Sequence, residues 1–174
     1  GAVFVLWYTS YITKLGLGMA ELAAGLGLGT MPVLGIFLII NGGFTWPALY
    51  ASIPSGFLVC NLLLLNEFPD MEADKSGGRN TLPIQIGLKK AAVVYTIITL
   101  MVYIWIAAGV LLKLMPVWTL LALLTLPLAI KAVQGALTFK QVEELIPAQG
   151  ANVMTVLITQ LLLGIGFILA RVVG

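Results

Sequence analysis

Between residues 66 and 87 the chain reads NEFPDMEADKSGGRNTLPIQIG, and four of its seven acidic residues (Glu67, Asp70, Glu72, Asp74) crowd together there. Asp70 and Asp74 are four apart, so one turn of helix puts them on the same face, and Glu67 joins it from three positions earlier. Like charges so placed repel. Carboxylate oxygens in such a group suit a shared cation, and Mg²⁺ takes one or two carboxylates with substrate phosphates completing its shell. Lys75 and Arg79 follow directly, adding donors fitted to a phosphate. Glu72 points off the shared face and is expected in solvent.

The elements that must position this stretch are apolar. Hydrophobic residues make up 60% of the 174 positions and charged residues 9%, with mean hydropathy +1.08; soluble domains carry about a quarter charged residues. The fold class expected is all-α, a polytopic transmembrane helical bundle of one membrane-embedded domain. The chain contains no histidine, which excludes imidazole catalysis and His-ligated zinc. Its single cysteine, Cys60, excludes an internal disulfide and multi-cysteine metal sites and reads as a buried, inert thiol. No internal repeat, low-complexity linker or soluble domain is visible, and no nucleic-acid partner is expected.

In chain order, residues 1–7 read as the tail of a membrane helix and the chain as a piece of a longer protein, because the apolar run is short and no signal-peptide pattern accompanies it. Residues 8–18 form a polar, Gly-containing connection carrying Lys14. Five complete spans follow, at about 19–40, 47–65, 88–112, 116–133 and 151–173. Glu21 sits one turn inside the first, where a carboxylate is expensive and faces a cavity or partner; snorkelling at the helix end is the plainer alternative. Gly25 and Gly29 have the GxxxG spacing of close helix packing, a better account than a nucleotide loop, since no strand precedes them. Residues 41–46 make a turn with an interfacial Trp46. Pro69 suits the first turn of a new helix, so the second span is expected to end or kink near 66–68. A short helix ending at Gly77-Gly78 then carries Asp70 and Asp74. Residues 131–150 read as an amphipathic loop or interfacial helix. Asn61, Asn152 and Gln160, polar within spans, are expected to bond helix to helix.

If the 66–90 connection is cytoplasmic, Lys14, Lys75, Arg79, Lys89, Lys90, Lys131 and Lys140 lie inside and only Lys113 and Arg171 outside, as the positive-inside rule expects. The polar chemistry then gathers at one mouth of the bundle. Metal carboxylates and cations where apolar helices meet the interface suit a substrate with a diphosphate head and an apolar tail. Charge on a departing diphosphate is neutralised at the mouth, while an apolar cavity shields an allylic cation from water.

Asp70-Met-Glu-Ala-Asp74-Lys-Ser-Gly-Gly78, with Thr81-Leu82-Pro83 and Gly87 behind it, resembles the second aspartate-rich motif, DxxxDxxxG, of the UbiA-type intramembrane prenyltransferases. The 8–21 segment resembles that family's tyrosine-and-lysine connection followed by Gly-Leu-Gly and a glutamate, with Met19-Ala20 intervening between Gly18 and Glu21. The form Asn66-Glu67-Phe68-Pro69-Asp70 is most similar to the menaquinone branch, the dihydroxynaphthoate polyprenyltransferases of prokaryotic inner membranes. The resemblance implies that the chain is the C-terminal part of a nine-helix enzyme. A first aspartate-rich motif, of the NxxxDxxxD kind, would belong to an N-terminal half that supplies the rest of the site, and this piece alone would be inactive. It implies Mg²⁺ as cofactor and a polyprenyl diphosphate and an aromatic acceptor as partners within the lipid bilayer. Asp70 and Asp74 would be catalytic metal ligands, with Asn66 and Glu67 beside them. Tyr8, Lys14, Lys75 and Arg79 would contact the diphosphate; for Lys75 and Arg79, ordinary positive-inside charge is the competing account. Two other readings stay open: a transporter or channel with an acidic cation-binding mouth, and an inactive paralogue serving as a partner subunit.

Overall fold

The computed structural model describes residues 8–173, and every element among them is helical; the expected helix tail over 1–7 lies outside the described residues. Five helices are long and apolar enough to cross a membrane: Met19–Asn41, Trp46–Ser76, Leu88–Leu111, Val117–Thr138 and Val142–Val173. We number them as the first to fifth spans. Large apolar side chains such as Ile39, Ile40, Leu28, Leu111 and Val172 are exposed along them, as a hydrocarbon solvent requires and water would penalise.

The second span is the hub, packing on the first, third and fifth, and the fifth also packs on the fourth. Small residues set these contacts, since lipid offers no hydrophobic drive and close van der Waals approach must replace it. A Cβ on Gly25 would stand 2.7 Å from the Gly56 carbonyl oxygen, and one on Gly29 would stand 2.5 Å from that of Ser55. The GxxxG pair therefore does what its spacing predicts. Around it, Gly25–Thr30 winds as a wider π-helical turn between two α-helical pieces. The fourth span begins as a 3₁₀ helix over Val117–Thr125, long for that form. Thr119 and Thr125 hydroxyls donate to the carbonyls of Pro116 and Ala122, 2.6 and 2.7 Å away.

Two expectations fail at helix ends. The second span does not break at Pro69; it runs unbroken to Ser76, with Pro54 and Pro69 inside it. Each proline costs the helix one N–H, and neighbouring helices hold the rest. Residues 66–76 are thus the last three turns of a membrane-length helix and not a loop. Likewise residues 131–150, expected as an amphipathic loop or interfacial helix, are largely taken into two spanning helices. The fourth span continues to Thr138 and the fifth begins at Val142, because Ala132 and Ala136 bury against Leu145, Ala148 and Ala151.

Candidate active site at the acidic helix end

With about 100° per residue, Asp74 lies about 20° around the helix from Glu67 and about 40° from Asp70. That offset decides burial. Glu67 and Asp74 turn inward, 2% and 9% exposed, whereas Asp70, Asn66 and Glu72 are exposed. Glu72 in solvent agrees with the sequence reading. The Asn66 amide oxygen accepts from Gln149 Nε2 at 3.3 Å, which ties it to the fifth span and away from Glu67.

Opposite the acidic turns stands the connection leading into the first span. Gly16, Leu17 and Gly18 all take left-handed φ, +77°, +55° and +72°, and this turn delivers Glu21 to the second span. A Cβ on Gly16 would stand 2.5 Å from Gln85 Nε2 and 2.8 Å from Asn80 Nδ2, so the backbone lies flat on the chain after the acidic helix. Three hydrogen bonds stitch the two segments. Asn80 N–H donates to the Thr13 carbonyl at 2.8 Å, Leu17 N–H to Gln85 Oε1 at 2.8 Å and Leu82 N–H to Glu21 Oε1 at 2.8 Å. Leu82 opens the short Leu82–Ile86 helix, so Glu21 supplies acceptor charge at its start.

The structure gathers five of the sequence-predicted residues. Arg79 Nη1 donates to Asp74 Oδ1 at 2.7 Å, and that bond raises the Arg79 pKa above its ordinary value. The charges surrounding the Tyr8 phenol are those of Glu67, Arg79, Glu21 and Asp74; burial first, then Glu67, pushes its pKa up to about 12. Its hydroxyl donates only weakly, to the Ala20 carbonyl at 3.5 Å. Lys14 and Lys75 are exposed and are not brought into this cluster. Sequence reasoning missed Asn80 and Gln85, whose role is to clasp backbone across a long sequence separation.

Four buried carboxylate oxygens, Glu21 Oε2, both of Glu67 and Asp74 Oδ2, have no hydrogen-bond donor among the described residues. Three buried carboxylates face one guanidinium. Such orphans fit an oxygen-seeking divalent cation, the more so because no imidazole competes. Among the described residues no three His, Cys, Asp or Glu side chains converge into a ready-made metal cage. Two carboxylates plus substrate oxygens is the arrangement Mg²⁺ accepts.

Comparison with known proteins adds the chemical context. The model of the UbiA prenyltransferase family matches residues 1–145. The chain is 30% identical over 150 residues to the 1,4-dihydroxy-2-naphthoate octaprenyltransferase of Bacillus subtilis (strain 168), covering 86% of this chain and 48% of that protein. It is 27% identical over 122 residues to the 2-carboxy-1,4-naphthoquinone phytyltransferase of Synechocystis sp. (strain ATCC 27184 / PCC 6803 / Kazusa), covering 70% of this chain and 40% of that protein. The chain thus spans about half or less of the length of these relatives. No solved structure matches it significantly. With five apolar spans, the match describes an integral, multi-pass membrane protein.

Proposed function

Because the chain belongs to the UbiA prenyltransferase family, we propose that the protein transfers a polyprenyl group from its diphosphate to an aromatic acceptor in the membrane. The two relatives bear naphthoate and naphthoquinone names, which favours a dihydroxynaphthoate acceptor and a place in menaquinone biosynthesis. The observation that carries the reading is the mouth itself. Asp70 is exposed and Asp74 is paired with Arg79, one turn apart at the end of a membrane-length helix.

Each residue then has a task. Arg79, held by Asp74, is a fixed cation for the diphosphate, and Lys14 and Lys75 close on the head group from either side. The Tyr8 phenol stays protonated and offers its O–H to a diphosphate oxygen. Asp70 and Asp74, with Asn66 at the edge, would hold magnesium, which when bound neutralises charge on the diphosphate. Apolar helices receive the prenyl tail and keep water from the allylic carbon. A naphthoate acceptor that loses its carboxyl group regains aromaticity without a strong protein base, so the absence of histidine is no obstacle. On the positive-inside count the mouth faces the cytoplasm, of a prokaryotic inner membrane if the two bacterial relatives are a guide.

Diphosphate release tests the reading. The intact protein, in nanodiscs with a polyprenyl diphosphate and dihydroxynaphthoate, should release diphosphate only when Mg²⁺ is present. Asp70→Asn and Asp74→Asn should each cut it by about 100- to 1,000-fold. Undiminished release in both variants removes the acidic turns from the mechanism, and cation flux without turnover in sealed vesicles replaces transfer by transport.

A further inference from the structure

The chain that leaves the acidic helix is held from two directions. Arg79 N–H donates to the Asp74 carbonyl at 3.0 Å and its guanidinium to the Asp74 carboxylate at 2.7 Å, which fixes the residue from the helix side. Its neighbour is fixed from the other segment. Asn80 N–H donates to the Thr13 carbonyl at 2.8 Å, while the Asn80 carbonyl accepts from Gln85 Nε2 at 2.8 Å. The same Gln85 amide accepts from Leu17 N–H at 2.8 Å through Oε1. One half-buried side chain thus ties the connection that carries Lys14 to the residue next to Arg79. The double bond needs an amide on a stem of this length, because a carboxylate has no hydrogen for the Asn80 carbonyl. Gly16 leaves room for it: its φ is +77°, and a Cβ there would stand 2.5 Å from Gln85 Nε2. Arg79 Nε, meanwhile, is buried and has no acceptor among the described residues. The guanidinium is held at one nitrogen and open at another.

We propose that Gln85 is a positioning residue, which locks Arg79 and the Lys14 connection at one spacing so that Arg79 Nε–H is already aimed when a diphosphate arrives. That Arg79 meets a diphosphate is taken from the proposed function; the clasp is this chain's own geometry. Gln85 touches no substrate. Its effect is preorganisation: bonds made beforehand remove an ordering cost from donor binding. Losing two such bonds should weaken binding by about 10-fold.

Donor binding without turnover is the test. The intact protein, in nanodiscs with Mg²⁺ and no acceptor, is titrated calorimetrically with a polyprenyl thiodiphosphate, whose bridging sulfur slows ionisation. Gln85→Met keeps the stem and loses both bonds, so Kd should rise about 10-fold. The melting temperature should hardly move, since a peripheral segment can open without the bundle. Gly16→Ala, which displaces the same amide tip from the opposite side, should raise Kd likewise, so the result does not hang on one variant. In an Arg79→Gln background, Gln85→Met should change Kd by no more than roughly 2-fold, because the two residues act through one contact. A full 10-fold loss in that background overturns the proposal, and so does a Gln85→Met protein that melts lower yet binds the donor as wild type does. Wild type that binds the thiodiphosphate and transfers no prenyl group from the diphosphate fails the proposed reaction and leaves the clasp standing; wild type that does not bind it overturns both.

Discussion

Two groups of buried polar residues occupy this bundle, and they are finished differently. In the seam between the second, third and fifth spans, Asn61 Nδ2 donates to the Tyr95 carbonyl and to Thr99 Oγ1, at 3.0 and 2.8 Å. The Tyr95 hydroxyl donates to Asn152 Oδ1 at 3.0 Å, and Asn152 returns a bond to the Asn61 carbonyl at 3.3 Å. Deeper in, Thr125 donates to the Ala122 carbonyl and so accepts from both Tyr103 and Thr159. Ser55 closes on Gln160 at 2.9 Å. Among these seam residues a single side-chain atom, Asn61 Oδ1, is left over. The mouth, built on the same second span, leaves four carboxylate oxygens open. Burying an unpaired polar group costs about 1–3 kcal/mol, more if charged, so a fold that completes one group and not the other points to a ligand at the second.

The sharpest way to break the comparison is to make the mouth behave like the seam. Asp74→Asn keeps size and some hydrogen bonding but removes the charge that holds Arg79. Turnover should fall by about 100- to 1,000-fold, the scale of losing one preorganised electrostatic group, while stability falls by no more than about 1 kcal/mol, because the Arg79 side chain left behind is about a third exposed. A parallel loss of stability and activity would make Asp74 a structural residue like those of the seam.

Next in size is a substitution that harms both groups at once. At Gly29 a Cβ would meet the Ser55 carbonyl at 2.5 Å and Gly56 Cα at 2.7 Å, all backbone that cannot swing aside. Gly29→Val should therefore pry the first span from the second and cost about 3 kcal/mol, seen as a lower denaturation midpoint in mild detergent. Glu21 lies on that span and holds Leu82 N–H, so diphosphate release should fall with it. Asn152→Ala touches the seam alone, orphaning the Tyr95 hydroxyl. About 1–2 kcal/mol is expected, with diphosphate release per folded molecule unchanged.

What was legible beforehand follows the range of the forces. Hydropathy locates the five spans, because burial in lipid acts on whole segments. The i,i+4 spacing predicts that Asp70 and Asp74 share a side, and Asn61, Asn152 and Gln160 do bond helix to helix. Helix ends were harder to read. Pro69 disfavours helix at Phe68 by local geometry, yet Leu64, Leu65 and Phe68 bury in the core and carry the helix through it. The 40° between Asp70 and Asp74 matters only once a neighbour covers one of them. The bond from Leu82 N–H to Glu21, and the clasp through Asn80 and Gln85, depend on how two segments dock, which no local pattern records.

The finest distinction concerns Tyr8, the neutral member of the mouth. If its phenol donates to the diphosphate, Tyr8→Phe removes one uncharged hydrogen bond, and KM for the prenyl donor should rise by roughly 3- to 10-fold with melting temperature held, the equivalent of about 1 kcal/mol. Burial and Glu67 raise its pKa from 10.0 to about 12, so the phenol is protonated at every pH below its ordinary value. The ratio of wild-type to Tyr8→Phe activity should therefore be flat from roughly pH 6 to 9. A ratio that falls as pH rises would mean that the hydroxyl acts through its ionised form, and a variant with unaltered KM would return Tyr8 to the weak 3.5 Å bond it makes with Ala20. Either outcome would move one residue from the open group to the closed one, with its energy then sought in stability.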